Sequence, residues 1–306
     1  MFKTLVYIIY KIINNLLFYV LVKLNVVQSN IPITRHTQIY LNLNHKTTHL
    51  GDRLFLWDLL HVLNADGIEI IVDHDDQLTK IFISSTGVKF RILEVMTDET
   101  LCLSLKPMFL ANLVRDPSTA LRTQYLDYQK FDGPLSIKLA TRLCQNSKHL
   151  DQLPFLPKKS EVMADLKKVI LFNNYVDSGK FRLAFIDKSL LDKECIKLKR
   201  DGYEIWHVGS QKDKQYDKVD YSFVDLDLRG TTGLSDIIQF FRDGQVQEVV
   251  SFDNIFLHLA ELYQIKSNIL FRGKFTKKVK SNHFNSINVG LMRTRSRVNY
   301  VRGDDA

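Results

Sequence analysis

The sequence predicts an α/β protein of two lobes with a cleft between them, preceded by an amphipathic helix. Three observations carry that expectation. Short β-type runs alternate with helical ones twice over, a Pro- and Lys-bearing stretch separates the two alternations, and the first strand runs through a Gly-Asp turn into an apolar helix.

Met1 to Asn25 comes first and is strongly apolar, yet it has no small-residue cleavage site of a signal peptide. At about 100° per residue, Lys3, Tyr7, Tyr10, Lys11, Asn14, Asn15 and Asn25 gather on one side. Leu5, Ile8, Ile9, Ile12, Ile13, Leu16, Leu17, Val20 and Leu24 surround the other, with Phe18 and Lys23 breaking the pattern. Lys11, Asn14 and Asn15 would meet the bilayer centre of a span. Residues 1–28 therefore read as a helix lying in a membrane interface, with a single span or a helix buried against protein as alternatives.

Residues 29–153 form the first expected lobe. Gln38 to Leu43 alternates polar with apolar as a strand, and Leu56, Leu59, Leu60 and Leu63 fall at i, i+3, i+4 and i+7 of a helix reaching Asn64. Ile68 to Val72, Lys80 to Ser84, Lys89 to Leu93 and Leu101 to Leu105 read as further strands. They make a parallel sheet or, around residues 80 to 105, an antiparallel flap. Leu135 to Leu143 reads as a helix, and His149 to Ser160, with Pro154 and Pro157, as a linker.

Residues 154–306 form the second lobe. Strands are expected at Lys168 to Phe172, Tyr203 to Val208, Glu248 to Phe252 and Asn268 to Phe271. Helices are expected at Lys188 to Arg200, Leu234 to Arg242 and Asn254 to Tyr263, the first stopping on Lys-Leu-Lys-Arg before Gly202.

Composition narrows the class. An apolar fraction of 45% with 25% charged residues over 306 positions is that of a globular chain. Cys102, Cys144 and Cys195 stand far apart without a C-x-x-C, which argues for a reducing compartment and against a disulfide framework or a zinc knuckle. The net charge of +8 is local, because Arg272 to Arg302 holds nine Lys or Arg and no acid. That basic tail lacks the aromatic platforms of single-strand nucleic-acid binders and suits an anionic membrane surface.

Two blocks carry candidate chemistry. The first is His49-Leu50-Gly51-Asp52, where a strand hands over to a helix at the edge of the sheet that binds ligands in open α/β folds. Read alone, Asp52 is a helix N-cap. The second block is Asp225-Leu226-Asp227-Leu228-Arg229-Gly230-Thr231-Thr232-Gly233, then a helix, then a strand ending at Asp253-Asn254-Ile255 with His258 beyond it. Thr231 and Thr232 offer hydroxyl donors, and Asp253 to Phe256 cross from strand end to helix start, where backbone N–H groups favour an anion. Read alone, His258 packs beside Ile255 and Leu262. Asp73-His74-Asp75-Asp76 and the D-x-D of Asp225 and Asp227 are weaker metal-binding candidates. No G-x-S-x-G, Walker loop or H-E-x-x-H is present.

Together the two blocks resemble the heptosyltransferase-like glycosyltransferases of family 9, whose architecture is GT-B, two Rossmann-like lobes around a cleft. The resemblance implies an inverting, metal-independent transferase using a nucleotide sugar as substrate, with no further cofactor. Its acceptor would be a lipid-linked or polysaccharide glycan such as lipopolysaccharide, met at the cytoplasmic face of the inner membrane by a peripheral or monotopic protein. It makes Asp52 the catalytic base, although a helix N-terminus depresses a carboxylate pKa and weakens the base. It assigns Asp253, Asn254, His258, Thr231 and Thr232 to the donor, and gives the loop after the first strand of the second lobe a phosphate-binding cation, Lys180 or Arg182. Asn254 and Ile255 depart from the family's Ser or Thr followed by Gly, which crowds backbone approach to phosphate and leaves an inactive GT-B scaffold as the alternative.

Overall fold

The computed structural model describes residues 2–27, 38–42, 54, 57–73, 77–94, 97, 100–126, 167–174, 188–200, 202–251, 254–272 and 298–303. The chain divides into two compact units, Met1–Leu153 and Pro154–Ala306. The expected helix at 135–143 and the expected linker at 149–160 lie outside the described residues.

The first unit is built on strands β1 (Gln38–Asn42), β2 (Glu69–Val72), β3 (Phe90–Ile92), β4 (Thr100–Leu105) and β5 (Gln124–Leu126). They lie in the order β3-β2-β1-β4-β5, and every pairing is parallel. The antiparallel flap is thereby excluded. Helices α2 (Trp57–Ala65) and α3 (Gln77–Thr86) provide the crossovers on one side. Lys80 to Ser84 lies inside α3 rather than in a strand. Its Ile-Phe-Ile alternation looks β-like locally, but Thr79 and Ile83, four residues apart, are the buried pair, so helical packing on the sheet overrides the propensity.

After β4 a 3₁₀ turn (Lys106–Met108) leads to α4 (Phe109–Arg115) and α5 (Pro117–Arg122). Asp116 caps α5, accepting from the Thr119 N–H at 3.2 Å with Pro117 as its first residue. The first helix, α1 (Phe2–Lys23), packs on this corner. Phe18, Phe109 and Tyr125 meet edge to face with centroids 5.1–5.7 Å apart. Asn14 is buried here, its amide donating to the Lys106 carbonyl at 3.3 Å and its oxygen accepting from the Leu110 N–H at 2.8 Å. The polar stripe expected to face water thus includes the residue that fastens the helix to the domain. No helix among the described residues is long and apolar enough to cross a membrane.

The second unit carries six strands, β6 (Val169–Asn173), β7 (Glu204–His207), β8 (Leu226–Asp227), β9 (Val246–Ser251), β10 (Lys266–Arg272) and β11 (Val298–Gly303). Their order is β11-β10-β9-β6-β7-β8, again wholly parallel. Parallel strands covered on both faces are continuously apolar, as in the fully buried Val-Ile-Leu-Phe run of β6. Helix α6 (Lys188–Arg200) packs Leu191 and Cys195 onto Ile170, Phe172 and Ile205, and Gly202 follows it at φ +81°. Helices α7 (Gln211–Tyr216), α8 (Leu234–Arg242) and α9 (Ile255–Leu262) complete the described elements. Within the basic C-terminal stretch, Val298–Gly303 forms β11, which pairs with β10 at the edge of the sheet.

Candidate functional site

In each sheet the first strand of the unit has later strands added on both sides, so the order reverses beside it. That reversal lies between β1 and β4 in the first sheet and between β6 and β9 in the second. Crevices outside the carboxyl ends of such strand pairs are where open α/β sheets bind ligands.

At the second reversal the sequence places polar residues as soon as each apolar run ends. β6 closes on Asn173 and Asn174, and β9 on Ser251, which stands beside Asn173 in the ladder. Asn173 is the hub. Its amide donates to the Val208 carbonyl at 2.7 Å and to Asp213 at 3.0 Å, while its oxygen accepts from the Asn254 amide at 3.0 Å. The Asn254 oxygen in turn caps α9 by accepting from the Phe256 N–H at 3.0 Å. One side chain therefore ties together the ends of β6 and β7, helix α7 and the start of α9. Gly209 is what permits this closeness: its φ is +155°, and a Cβ there would lie 2.8–2.9 Å from the Asp213 and Asn173 side chains.

Asn174 opens a second chain of contacts. Its amide donates to the Tyr221 hydroxyl at 2.7 Å, and that hydroxyl donates to Asp217 at 3.1 Å. Arg229 holds the far side, donating to the Asp217 carbonyl oxygen at 2.6 Å and gripping both oxygens of Asp227 at 2.9 and 3.0 Å. His207 stacks near Phe172 with its Nε2 3.6 Å from Asp217. Burial first, and the Arg229 cation second, push the His207 pKa down to about 3, so the ring is neutral. Burial raises the Asp217 carboxyl above its ordinary value, and the Arg229 grip holds Asp227 well below it. The Asn174 carbonyl oxygen and the Ser251 hydroxyl, both fully buried, have no hydrogen-bond partner among the described residues.

The expected site residues fall into two groups. Asn254 is at the reversal point. Thr231 and Thr232 lie in the turn after β8, and each donates its hydroxyl to the Leu228 carbonyl, at 2.9 and 3.1 Å. His258 is buried within α9. Asp52, Lys180, Arg182 and Asp253 lie outside the described residues. The D-x-D carboxylates are held by protein: Asp225 accepts from the Ile205 N–H and pairs with Lys199, and Asp227 pairs with Arg229 and Lys214. Asp73 accepts from the Tyr40 hydroxyl at 3.0 Å, and no cluster of three metal-ligating side chains occurs among the described residues. Sequence reasoning passed over Asn173, Asn174 and Ser251. The signal was available in the abrupt change from Val-Ile-Leu-Phe to Asn-Asn at a strand end.

These groups suit an uncharged sugar or a phosphate better than a metal. The Asn173 and Asn254 amides lie at the start of α9, whose dipole favours negative charge.

Comparison with solved structures places the architecture. "ADP-heptose lps heptosyltransferase II" of E. coli aligns over 88% of this chain and 91% of its own, with a TM-score of 0.55 at 11% identity. A glycosyltransferase family 9 protein of Veillonella parvula aligns over 87% and 85%, with a TM-score of 0.55 at 11% identity. E. coli heptosyltransferase WaaC, solved with ADP-2-deoxy-2-fluoro heptose, aligns over 78% and 90%, with a TM-score of 0.51 at 12% identity. No protein-family model matches the chain. No curated protein matches it in sequence either. Two units with parallel sheets of this strand order, matched across most of the chain, give this protein the heptosyltransferase-like fold of glycosyltransferase family 9.

Proposed function

We propose that the chain is an inverting, metal-independent glycosyltransferase that moves a sugar from a nucleotide-sugar donor to a lipopolysaccharide or other surface-glycan acceptor. The observation that supports this most is the reversal point of the second sheet, where Asn173, with Ser251 beside it in the ladder, bonds to Asn254 at the start of α9. In this reading the donor diphosphate lies against that helix start. Lys180, Arg182 and Asp253 complete its binding site. Thr231 and Thr232 shape the turn after β8, and His258 packs behind it as a positioning residue.

Asp52 takes the proton of the acceptor hydroxyl as its oxygen attacks the anomeric carbon. The bond from that carbon to the diphosphate oxygen breaks on the opposite face, its electron pair leaving with the diphosphate, and the configuration inverts. Cations beside the leaving group stabilise the charge that develops there.

A non-catalytic scaffold is the second reading. Both polar ends of the Asn254 side chain are already engaged, and Ile255 follows where close backbone approach to phosphate favours glycine. Calorimetry of the full chain with ADP, UDP and GDP separates the readings. WaaC holds an ADP-sugar analogue, so ADP-sugars are the first donors to try. Binding followed by turnover that Asp52→Asn abolishes supports the transferase. Binding of none of the three supports the scaffold.

A further inference from the structure

Helix α1 has two faces that the structure sorts differently from its sequence. Asn14, Leu17, Phe18 and Leu21, spaced i, i+3, i+4 and i+7, lie against the first unit, where Phe109 and Tyr125 receive them. The opposite face carries Leu5, Ile9, Ile12, Leu16 and Tyr19, each between 47% and 63% exposed. Eleven of the seventeen exposed large hydrophobic residues among those described fall in the first 26 positions. An apolar patch of this continuity is not an ordinary protein surface.

We propose that α1 is an in-plane membrane helix, clamped by Asn14 to the first unit on one face and laid into an anionic lipid surface with the other. Three observations select lipid as the occupant. Residues 1–51 contain five Lys or Arg and no Asp or Glu, so the helix offers a second copy of itself no opposite charge, whereas an anionic surface complements it. Exposed Lys11 and Lys23 are placed on the helix, Lys23 with its ammonium 5.7 Å from the ring of exposed Tyr19. Aromatic rings beside cations suit the headgroup level, where one end is apolar and the other wet. Helix α4, against which α1 packs, adds exposed Val114 and Arg115 and is likewise free of acids. A spanning orientation would strip Asn14 from Lys106 and Leu110 and bury its amide in hydrocarbon, whereas an in-plane helix keeps both bonds.

This arrangement fixes the first unit's orientation over the bilayer, because the helix meets lipid and domain on opposite faces. The inference does not depend on what the second unit binds. It gives the protein a station on the cytoplasmic face of the plasma membrane, the surface at which a water-soluble nucleotide sugar and a lipid-linked acceptor meet.

Sedimentation of the full chain with vesicles tests it, using phosphatidylcholine alone and phosphatidylcholine mixed with phosphatidylglycerol. The protein is expected to pellet with the anionic vesicles and less with the neutral ones. Ile12→Glu combined with Leu16→Glu alters two residues that are 60% and 63% exposed, so thermal stability stays unchanged. Partitioning should nevertheless fall on the order of a hundredfold, about tenfold for each half-buried aliphatic lost. Asn14→Leu is expected to lower the melting temperature while vesicle binding persists. Wild-type protein that stays in the supernatant, or a double variant that binds as wild type does, overturns the proposal. So does a wild-type dimer that ignores vesicles and that the double variant dissociates, because the occupant is then a second copy. Loss of vesicle binding in Asn14→Leu would put the lipid contact on the wrong face. Vesicle binding needs neither donor nor acceptor, so the transferase reading fails or stands separately.

Discussion

The two sheets share a strand order about their first strand, and among the described residues their longest polar networks run along different edges. Across the amino edge of the first sheet, Thr100 donates to Gln38, Gln38 to Glu69, and Arg91 to both Glu69 oxygens, linking the starts of β4, β1 and β2 with β3. In the second sheet the longest described networks run through the carboxyl edge: Asn254 to Asn173 to Asp213, and Asn174 to Tyr221 to Asp217 to Arg229. Polar groups at the amino edge of a parallel sheet serve register and stability, whereas the carboxyl edge is where a ligand arrives. On the proposed reading the second unit is the donor-binding half, and the contrast yields four tests in descending order of effect.

Arg229→Met is the most damaging. It leaves the Asp217 carboxylate, which has no exposed side-chain surface, without its cation, and is expected to cost about 3 kcal/mol in denaturant unfolding of the second unit. A loss below about 1 kcal/mol would show that the Asp217 chain does not hold this edge together. Asn173→Ala comes next, because three partners lose a bond and one of them, the Val208 carbonyl, is in buried surroundings. About 2–3 kcal/mol is expected, together with loss of any nucleotide binding.

The third test is pH. His207 has its folded pKa lowered from 6.5 to about 3, so between those values the unfolded chain takes up a proton that the folded chain does not. Stability from this group is complete above pH 6.5 and falls by about 1.4 kcal/mol per unit as pH drops toward 3. The raised Asp217 pKa acts oppositely over the part of this range above its ordinary value, softening the slope. His207→Phe should flatten the acid limb of a stability-against-pH curve, and an unchanged limb would contradict the buried neutral ring. Gln38→Ala gives the smallest effect, about 1 kcal/mol on the first unit and none on ligand binding by the second.

Long, strongly patterned elements were legible in the sequence. Lys188–Arg200 and Leu234–Arg242 fall where the spacing and the basic C-terminal turn put them, and the apolar runs of β6, β7 and β9 were evident. Short helices were not. Phe109–Arg115 and Pro117–Arg122 have seven and six residues, too few for a period to show, although Asp116-Pro117 is a cap signature that was there to be read. β11 was hidden by charge, since Arg302 and the basic residues before it drew attention away from the Val-Asn-Tyr-Val pattern at 298–301.

The turn after β8 was legible as a polar turn between strand and helix. That turn lies at the carboxyl edge of the second sheet, but its spacing could not reveal that the two threonine hydroxyls serve Leu228 or that Arg229 reaches Asp217. Those contacts are made across loops, by residues up to twelve positions apart whose approach depends on the fold. For α1 the residue pattern showed amphipathicity without orientation. Whether Asn14 faces water or protein is decided by Lys106 and Leu110, more than ninety positions away.

If the carboxyl edge of the second sheet receives a nucleoside diphosphate, as proposed, titration of the full chain with ADP, in parallel with Asn173→Ala and Gln38→Ala, will show it. Saturable binding that Gln38→Ala preserves and Asn173→Ala removes is the expected result. Binding that survives Asn173→Ala in a folded protein, or disappears with Gln38→Ala, would contradict it.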